Sequence, residues 1–383
     1  MTQPVLFEEL AAHNGRRIGV ATLASEKTLN ALSLEMVNLL TPQLRQWQAD
    51  PEVALVILQA QGDKAFCAGG DLQQLYRTMR EHHASPERGD IRGNRYAAGF
   101  FEHEYRLDYL IHTFAKPILG WGHGIVMGGG IGLMAGCSHR VATEKSRLAM
   151  PEITIGLYPD VGGSWFLARM PGKTGVFLAL TGAQLNASDA VFAGLADYRV
   201  AHAAKQSVLD ALLAQDWGHG HDAELLDRVL AEAQAASLHD AAGAFAPAKL
   251  RSHFDLIQEC CGKPTLPEIV DAILALASDD AWLQKAAATL RAGAPGSARL
   301  GYALQKRVRR LSLAEVFRLE LVVSLHCAAR PDFVEGIRAL IVEKDQQPRW
   351  QPATLAAATA EWVEGFFDDP WGKDEHPLAD LGV

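Results

Sequence analysis

Two kinds of apolar spacing divide the chain. "IGVATL" (18 to 23) and "VALVILQA" (53 to 60) are short, unbroken and rich in β-branched residues, the pattern of strands covered on both faces. Between them Ser33 is a candidate N-cap, and Met36, Leu40, Leu44 and Trp47 recur at helical spacing; this predicts a helix that Pro42 kinks or divides near Thr41. The alternation continues through "KAFCAGGD" (64 to 71), a helical region around Phe100 to Thr113, the strand "PILGWGHG" (117 to 124), "MGGGIGLMAGC" (127 to 137) and the short strand candidates "HRVAT" and "RLAM". Strands and helices alternating over short connections predict an α/β core. From about residue 203 alanine, leucine and charged residues dominate, and β-branched runs nearly vanish until "RALIVEKD". We therefore expect a catalytic core over 1–203 and a mostly helical C-terminal region over 204–383 that packs on it. No internal repeat of fixed period interrupts this plan.

Composition narrows the function classes. A chain of 383 residues, 49% hydrophobic and 21% charged, can bury a large core. Its formal charge is -9 and "QKRVRR" (305 to 310) is its one basic run, which argues against a nucleic-acid partner. No segment approaches the ~18 uninterrupted apolar residues of a membrane span. Five cysteines, an odd number without C-x-x-C spacing, suit thiols in a reducing compartment, with no disulfide expected. The N-terminal "MTQPVLFEELAAHNG" has neither a basic flank nor a long apolar run, so it reads as neither signal nor transit peptide, and a cytoplasmic location is expected.

Three patches carry candidate chemistry. In "GIVMGGGIGLMAG" a predicted strand runs into an apolar stretch of helical length, which sets the amides of Gly128, Gly129 and Gly130 at a helix start able to hold an anion or a developing oxyanion. A tight strand-to-helix crossing explains the same glycines equally well. The spacing is not G-x-G-x-x-G with an acidic partner, which argues against a dinucleotide site. "FCAGGD" offers a second exposed amide at Gly69 or Gly70, or simply a turn that ends a strand. Acyl transfer needs two donors aimed at one oxygen, so the two patches together say more than either alone. Third, "MPEITIGLYPDVGG" (150 to 163) holds Glu152 and Asp160 among apolar residues. Burial there would raise a carboxyl pKa and make it a base or nucleophile near neutral pH, whereas two solvated surface acids are the bland alternative.

Taken together these motifs resemble the crotonase, or enoyl-CoA hydratase/isomerase, superfamily. "NAL" (30 to 32), "KAFCAGGD", "HGIVMGGGIGL" (123 to 133), "RVATEKSRLAMPEITIGLYPDVGGSWFL" (140 to 167), "GVFLALTG" (175 to 182) and "FVEGIRALIVEKDQQPRWQPATL" (333 to 355) follow the branch that hydrolyses 3-hydroxyisobutyryl-CoA, a step of valine breakdown. The resemblance covers about residues 15 to 365 and is weakest from 201 to 290. It implies a spiral of ββα units, an acyl-CoA substrate, no separate cofactor because coenzyme A is part of that substrate, no metal, and assembly as a homo-oligomer. It further implies an oxyanion hole from the amides of Gly70 and Gly129, Glu152 as the catalytic carboxylate acting as nucleophile or as base on water, and Asp160 contacting the acyl group. Glu104 in "FFEHEY" is implied as a substrate residue, and Lys27 in "SEKTLNAL" as a candidate for the CoA phosphates, although this segment lacks the proline that commonly precedes that lysine. Hydratases of the superfamily carry a second catalytic glutamate three residues after the oxyanion glycine. Here that position is Gly132, so hydrolysis is expected over water addition to a double bond, with 3-hydroxypropionyl-CoA as a further substrate.

Other residues invite weaker readings. His219 and His221 in "DWGHGHD" lie on a glycine-broken loop without a third ligand at recognisable spacing. Ser164 in "GGSWF" lacks the closing glycine of a nucleophile elbow. Cys67 has no activating histidine in its motif and reads as a packed small thiol.

Overall fold

Strands and helices do alternate, and the strands alternate between two sheets as well. The computed structural model describes residues 3–240, 245–372 and 375–383. In chain order the elements up to residue 200 that matter here are β1 (Val5–Ala11), β2 (Arg17–Leu23), α1 (Leu34–Ala49), β3 (Val53–Ala60), β4 (Ala65–Cys67), α2 (Leu72–His83), α3 (Arg95–His112), β5 (Ile118–Gly122), β6 (Ile125–Met127), α4 (Gly129–Ala135), β7 (His139–Ala142), β8 (Arg147–Ala149) and β9 (Tyr198–Arg199). Beyond β9 the regular structure of the described residues is helical. The larger sheet runs β1-β2-β3-β5-β7-β9 and the smaller β4-β6-β8, so from β3 onward successive strands are laid alternately in one sheet and the other. The α/β class is as expected, and this alternation is the spiral that the family resemblance implies. β1 pairs antiparallel with β2, and every later neighbour in the large sheet is parallel.

By contacts the chain forms two compact units interleaved along the sequence. One comprises Met1–Gly70, Leu110–Leu148 and Leu185–Ser252; the other comprises Asp71–Tyr109, Ala149–Gln184 and His253–Val383. The change of composition at residue 203 therefore falls inside the first unit, whose last segment ends at Ser252.

In the first unit the sheet is covered on both faces, which is why β2 and β3 are nearly unbroken apolar runs. A Cβ on Gly19 would fall 2.7 Å from the Trp47 ring, so α1 lies tightly on that face with Met36, Val37, Leu40 and Leu44 also buried. Alternation along the strands sends Ile18, Val20, Leu55 and Ile57 the other way, into a core with Leu119, Trp121, Val208, Leu212, Leu226 and Leu230. The helices Lys205–Leu213 and Asp222–Asp240 supply the last four. Each such side chain, fully buried, contributes about 1.5–3 kcal/mol. The Ser33 side chain caps α1 by accepting from the Met36 amide at 3.2 Å. Of the two outcomes expected at Pro42, a kink or a division, the division does not occur: α1 runs unbroken from Leu34 to Ala49. One missing N–H forfeits one backbone bond, and buried residues on both sides of Pro42 anchor the two halves to the same sheet.

The second unit is mainly helical. Its Leu313–Ala329 helix begins at a capping box of Ser312 and Glu315 and buries Phe317, Glu320, Leu321, Ser324 and Leu325. Glu152–Ile155 forms a single 3-10 turn that lies on the Pro331–Ile337 helix through two glycines. A Cβ on Gly156 would sit 2.3 Å from the Asp332 carbonyl oxygen, and one on Gly336 would sit 2.3 Å from the carbonyl carbon of Ile155. The backbone carrying Glu152 is thereby fixed at contact distance.

Among the described residues no helix is long and apolar enough to cross a membrane, and no group of three His, Cys, Asp or Glu could hold a metal ion. Cys67, Cys137, Cys260, Cys261 and Cys327 are all buried and none forms a disulfide.

Candidate active site

The first unit brings the two glycine patches together. β4 and β6 pair in parallel, so the segments that leave them run side by side. Gly70 follows β4 and bridges to Leu32, whose amide donates to the Gly69 carbonyl at 2.8 Å. Gly129 opens α4 after Gly128, which has φ 50°. A Cβ on Gly130 would lie 2.3 Å from the Cys67 carbonyl oxygen, so this crossing tolerates no side chain. The amides that start a helix have no partner within it, and those of Gly129 and Gly130 occupy that position in α4.

Lys27 lies exposed in the 3-10 turn Glu26–Thr28. Asn30 ties this loop to the strand that leads to Gly70. Its Nδ2 donates to the carbonyls of Gln61 and Ala65 at 3.1 and 2.9 Å, and its Oδ1 accepts from the Ser25 amide at 2.8 Å. The "NAL" match thus includes a buried asparagine that sets the loop's path.

The second unit collects the carboxylates. Glu104 is 2% exposed, Asp108 0%, Glu152 4%, Asp160 5% and Glu320 0%. The solvated-surface reading of Glu152 and Asp160 therefore fails. Burial raises the pKa of all five, and mutual repulsion adds to it: Asp108 and Asp160 act on Glu104, Asp160 and Glu320 on Asp108, and Asp160 on Glu152. Asp160 is common to these interactions.

Hydrogen bonds separate the acids. The Tyr105 hydroxyl donates to Asp160 Oδ2 at 2.8 Å and so restrains the effect of burial, leaving Asp160 at about 6. Glu320, pushed to about 8 by burial, accepts from the amides of Gly162 (2.7 Å) and Ser164 (3.1 Å) and from the Ser164 hydroxyl. Neither oxygen of Asp108 nor Oε2 of Glu152 has a partner among the described residues. A buried carboxyl without donors stays protonated well above its ordinary range. Asp160 and Glu320 are thus the hydrogen-bonded members of the group, whereas Asp108 and one oxygen of Glu152 meet no donor among the described residues.

Asp160 sits on an unusual turn. The Gly163 amide donates back to its carbonyl at 2.6 Å, and the two residues between, Val161 and Gly162, have φ of 52° and 81°. For a β-branched residue a positive φ costs on the order of 1–3 kcal/mol, and the surrounding structure must impose it.

The motifs did not single out Tyr105, Asp108, Tyr158, Glu320 or Ser324. Tyr105 and Asp108 stood within reach of the reading, Tyr105 as the residue next to Glu104 in its motif and Asp108, four residues on, as its neighbour on the same helix face. Glu320 and Ser324 look in the sequence like ordinary members of an amphipathic helix. The Ser164 hydroxyl donates to Glu320. His219 pairs with Asp216 at 3.4 Å, both well exposed.

A spiral of strands shared between two sheets, glycine amides at a strand-to-helix crossing and a buried acid group define an enzyme of the crotonase fold. The family model for enoyl-CoA hydratase/isomerase matches residues 18–367, and the chain belongs to that family. It is similar to the protein named 3-hydroxyisobutyryl-CoA hydrolase, mitochondrial, of Danio rerio, with 36% identity over 95% of this chain and 89% of the relative. The Xenopus laevis protein of that name is 37% identical over 93% of this chain and 88% of its own length. Among solved structures, one described as a carnitinyl-CoA dehydratase from Mycobacterium thermoresistibile superimposes with a TM-score of 0.81 at 31% identity, covering 96% of this chain and 97% of that one.

Proposed function

We propose that the protein hydrolyses an acyl-CoA thioester, with 3-hydroxyisobutyryl-CoA as substrate and 3-hydroxypropionyl-CoA as a second, giving the free hydroxy acid and CoA in valine breakdown. The observation that carries this reading is the Glu152 carboxyl, 4% exposed with Oε2 unpartnered. Burial and Asp160 hold its pKa well above the ordinary range, as a proton-transfer group working near neutrality requires. Names of relatives at 36–37% identity over most of the chain point the same way.

In this reading the Gly70 and Gly129 amides are donors to the thioester oxygen as charge develops on it. Glu152 either attacks the carbonyl carbon, breaking the C–S bond through an acyl-carboxylate anhydride that water then opens, or removes a proton from the water that attacks. Asp160 accepts from the acyl 3-hydroxyl, Glu104 lies against the acyl group and Lys27 meets the CoA phosphates. No cofactor beyond the substrate's own CoA is required. A homo-oligomer and a cytoplasmic location complete the proposal; buried thiols without disulfides support a reducing compartment, while the relatives above are named mitochondrial.

Water addition to an enoyl-CoA is the second reading, favoured by the dehydratase description of the 31% identical structure. Gly132 opposes it, because α4 has no carboxylate there. Thiol release measured with a disulfide dye, set against loss of enoyl absorbance, decides: release from the 3-hydroxyacyl ester without double-bond loss is expected. Enoyl loss without thiol release would overturn hydrolysis, and neither signal would leave an acyl-CoA-binding protein without catalysis.

A further inference from the structure

The Leu313–Ala329 helix reaches the Asp160 segment at two points. Glu320 and Ser324, four residues apart and so on one face of the helix, are both fully buried. Glu320 grips the backbone on the far side of Asp160: its two oxygens accept from the Gly162 amide at 2.7 Å and the Ser164 amide at 3.1 Å, and one also accepts from the Ser164 hydroxyl. These amides lie in and just after the turn in which Val161 is held at φ 52°. Amide hydrogens can only donate, so the acceptor that fixes this turn must be an oxygen, and Glu320 supplies both.

Ser324 acts on the side chain. Its Oγ lies 2.6 Å from the Tyr105 hydroxyl and 2.9 Å from that of Tyr158. The Tyr105 hydrogen is donated to Asp160 Oδ2 and the Tyr158 hydrogen to the Glu320 carbonyl at 2.9 Å. With both tyrosine hydrogens committed, the serine's single hydrogen can serve only one of them; given to Tyr105, the nearer at 2.6 Å, it makes a chain of donation that runs Ser324 to Tyr105 to Asp160. Such a chain polarises toward its carboxylate end.

We propose that Glu320 and Ser324 are positioning residues that set the place and the charge of the Asp160 carboxylate, and through it the preference for a 3-hydroxylated acyl group. The inference rests on the reading of Asp160 given above. Glu320 fixes the carboxylate in space by holding its turn, and Ser324 keeps it ionised by orienting Tyr105.

The test compares kcat/KM for 3-hydroxyisobutyryl-CoA with that for isobutyryl-CoA, and follows the acid limb of the pH profile, in E320Q, S324A and D160N. Glutamine keeps the shape of Glu320 but faces one of its two amides with a donor. Displacing Asp160 by a fraction of an ångström should lower the preference for the hydroxylated ester about 10- to 100-fold in E320Q. In S324A the acid limb should move to higher pH while the two esters keep similar KM ratios. A merely structural role would lower the melting temperature and move neither quantity. Folded E320Q and S324A with wild-type preference and wild-type acid limb, beside a D160N that has lost the preference, would overturn the inference and leave the role of Asp160 standing. Wild-type preference in D160N would remove that role, and the inference with it. Should E320Q fail to fold, S324A, which leaves the Glu320 contacts in place, decides alone.

Discussion

The Tyr105 hydroxyl points its hydrogen at Oδ2 of Asp160, 2.8 Å away, and both residues are buried. Tyr105 is itself held neutral, its pKa raised far above the ordinary value by burial and by Asp160, so it donates at every working pH. It is the side-chain contact that keeps Asp160 near 6 against the cost of burial. The Tyr105→Phe variant retains the ring packing with Phe101 and Phe317 but loses the donor. A hydrogen bond to a charged group contributes about 1.5–3 kcal/mol, so the Asp160 pKa should rise by roughly one to two units. The acid limb of kcat/KM measured by thiol release should move up with it, and an unmoved limb would show that Asp160 is not the group titrating there.

Glu152→Gln keeps size and burial and removes the proton-transfer group. Turnover should fall about 10²- to 10⁴-fold with little change in KM, since the amide still fills the same space. Because burying a neutral amide spares the cost of a buried carboxyl, the variant should melt no lower than the parent above neutral pH. Calorimetry beside the kinetics separates loss of chemistry from loss of fold.

Gly130→Ala places a Cβ 2.3 Å from the Cys67 carbonyl oxygen, a contact that main chain must move to relieve. The shift falls on the crossing that carries the Gly129 amide. Hydrolysis should therefore drop about 10²-fold or more if one oxyanion donor is displaced. Crotonase-fold secondary structure should persist in circular dichroism, and full activity would show that the Gly129 amide is not used.

These three sites differ in how far the sequence disclosed them. β2, β3, α1 and β5 were legible because both sides of the sheet are covered, and a doubly buried strand writes its own apolar run. β1 was not: "VLFEELA" is an edge strand with one strongly buried residue, Val5, and its glutamates hide the pattern. Pro42 does not end α1 because the sheet anchors the helix on both sides of the proline, which a local rule cannot see. Glu152 and Asp160 stood out because two acids lie close together in an otherwise apolar stretch, and the glycines because they cluster where a strand runs into a helix. Glu320 and Ser324 lie more than 150 residues from Asp160, and a helix interior can bury any residue whose partner is supplied by another segment, so nothing local marks them.

The buried acids also fix how stability depends on pH. Glu104, Asp108, Glu152, Asp160 and Glu320 all have raised pKa values, so the folded state holds protons that the unfolded chain releases. A raised carboxyl contributes its full share of stability only below its ordinary pKa and loses it as pH climbs through the folded value. For Asp160, moving from 3.8 to about 6, the cost of reaching higher pH is on the order of 3 kcal/mol. The melting temperature should therefore decline from about pH 4 upward, with the share of Asp160 lost by about pH 6 and that of Glu320 by about pH 8. Asp108 gives the sharpest check, since neither of its oxygens has a partner and it shares the cluster with Asp160 and Glu320. Asp108→Asn cannot ionise, and it removes one repelling neighbour from Glu104. Its stability should match the parent most closely below about pH 4, exceed it near pH 8, and show a flatter decline between. A variant that parallels the parent at every pH would mean that Asp108 has a donor in solution and is charged in the folded protein throughout.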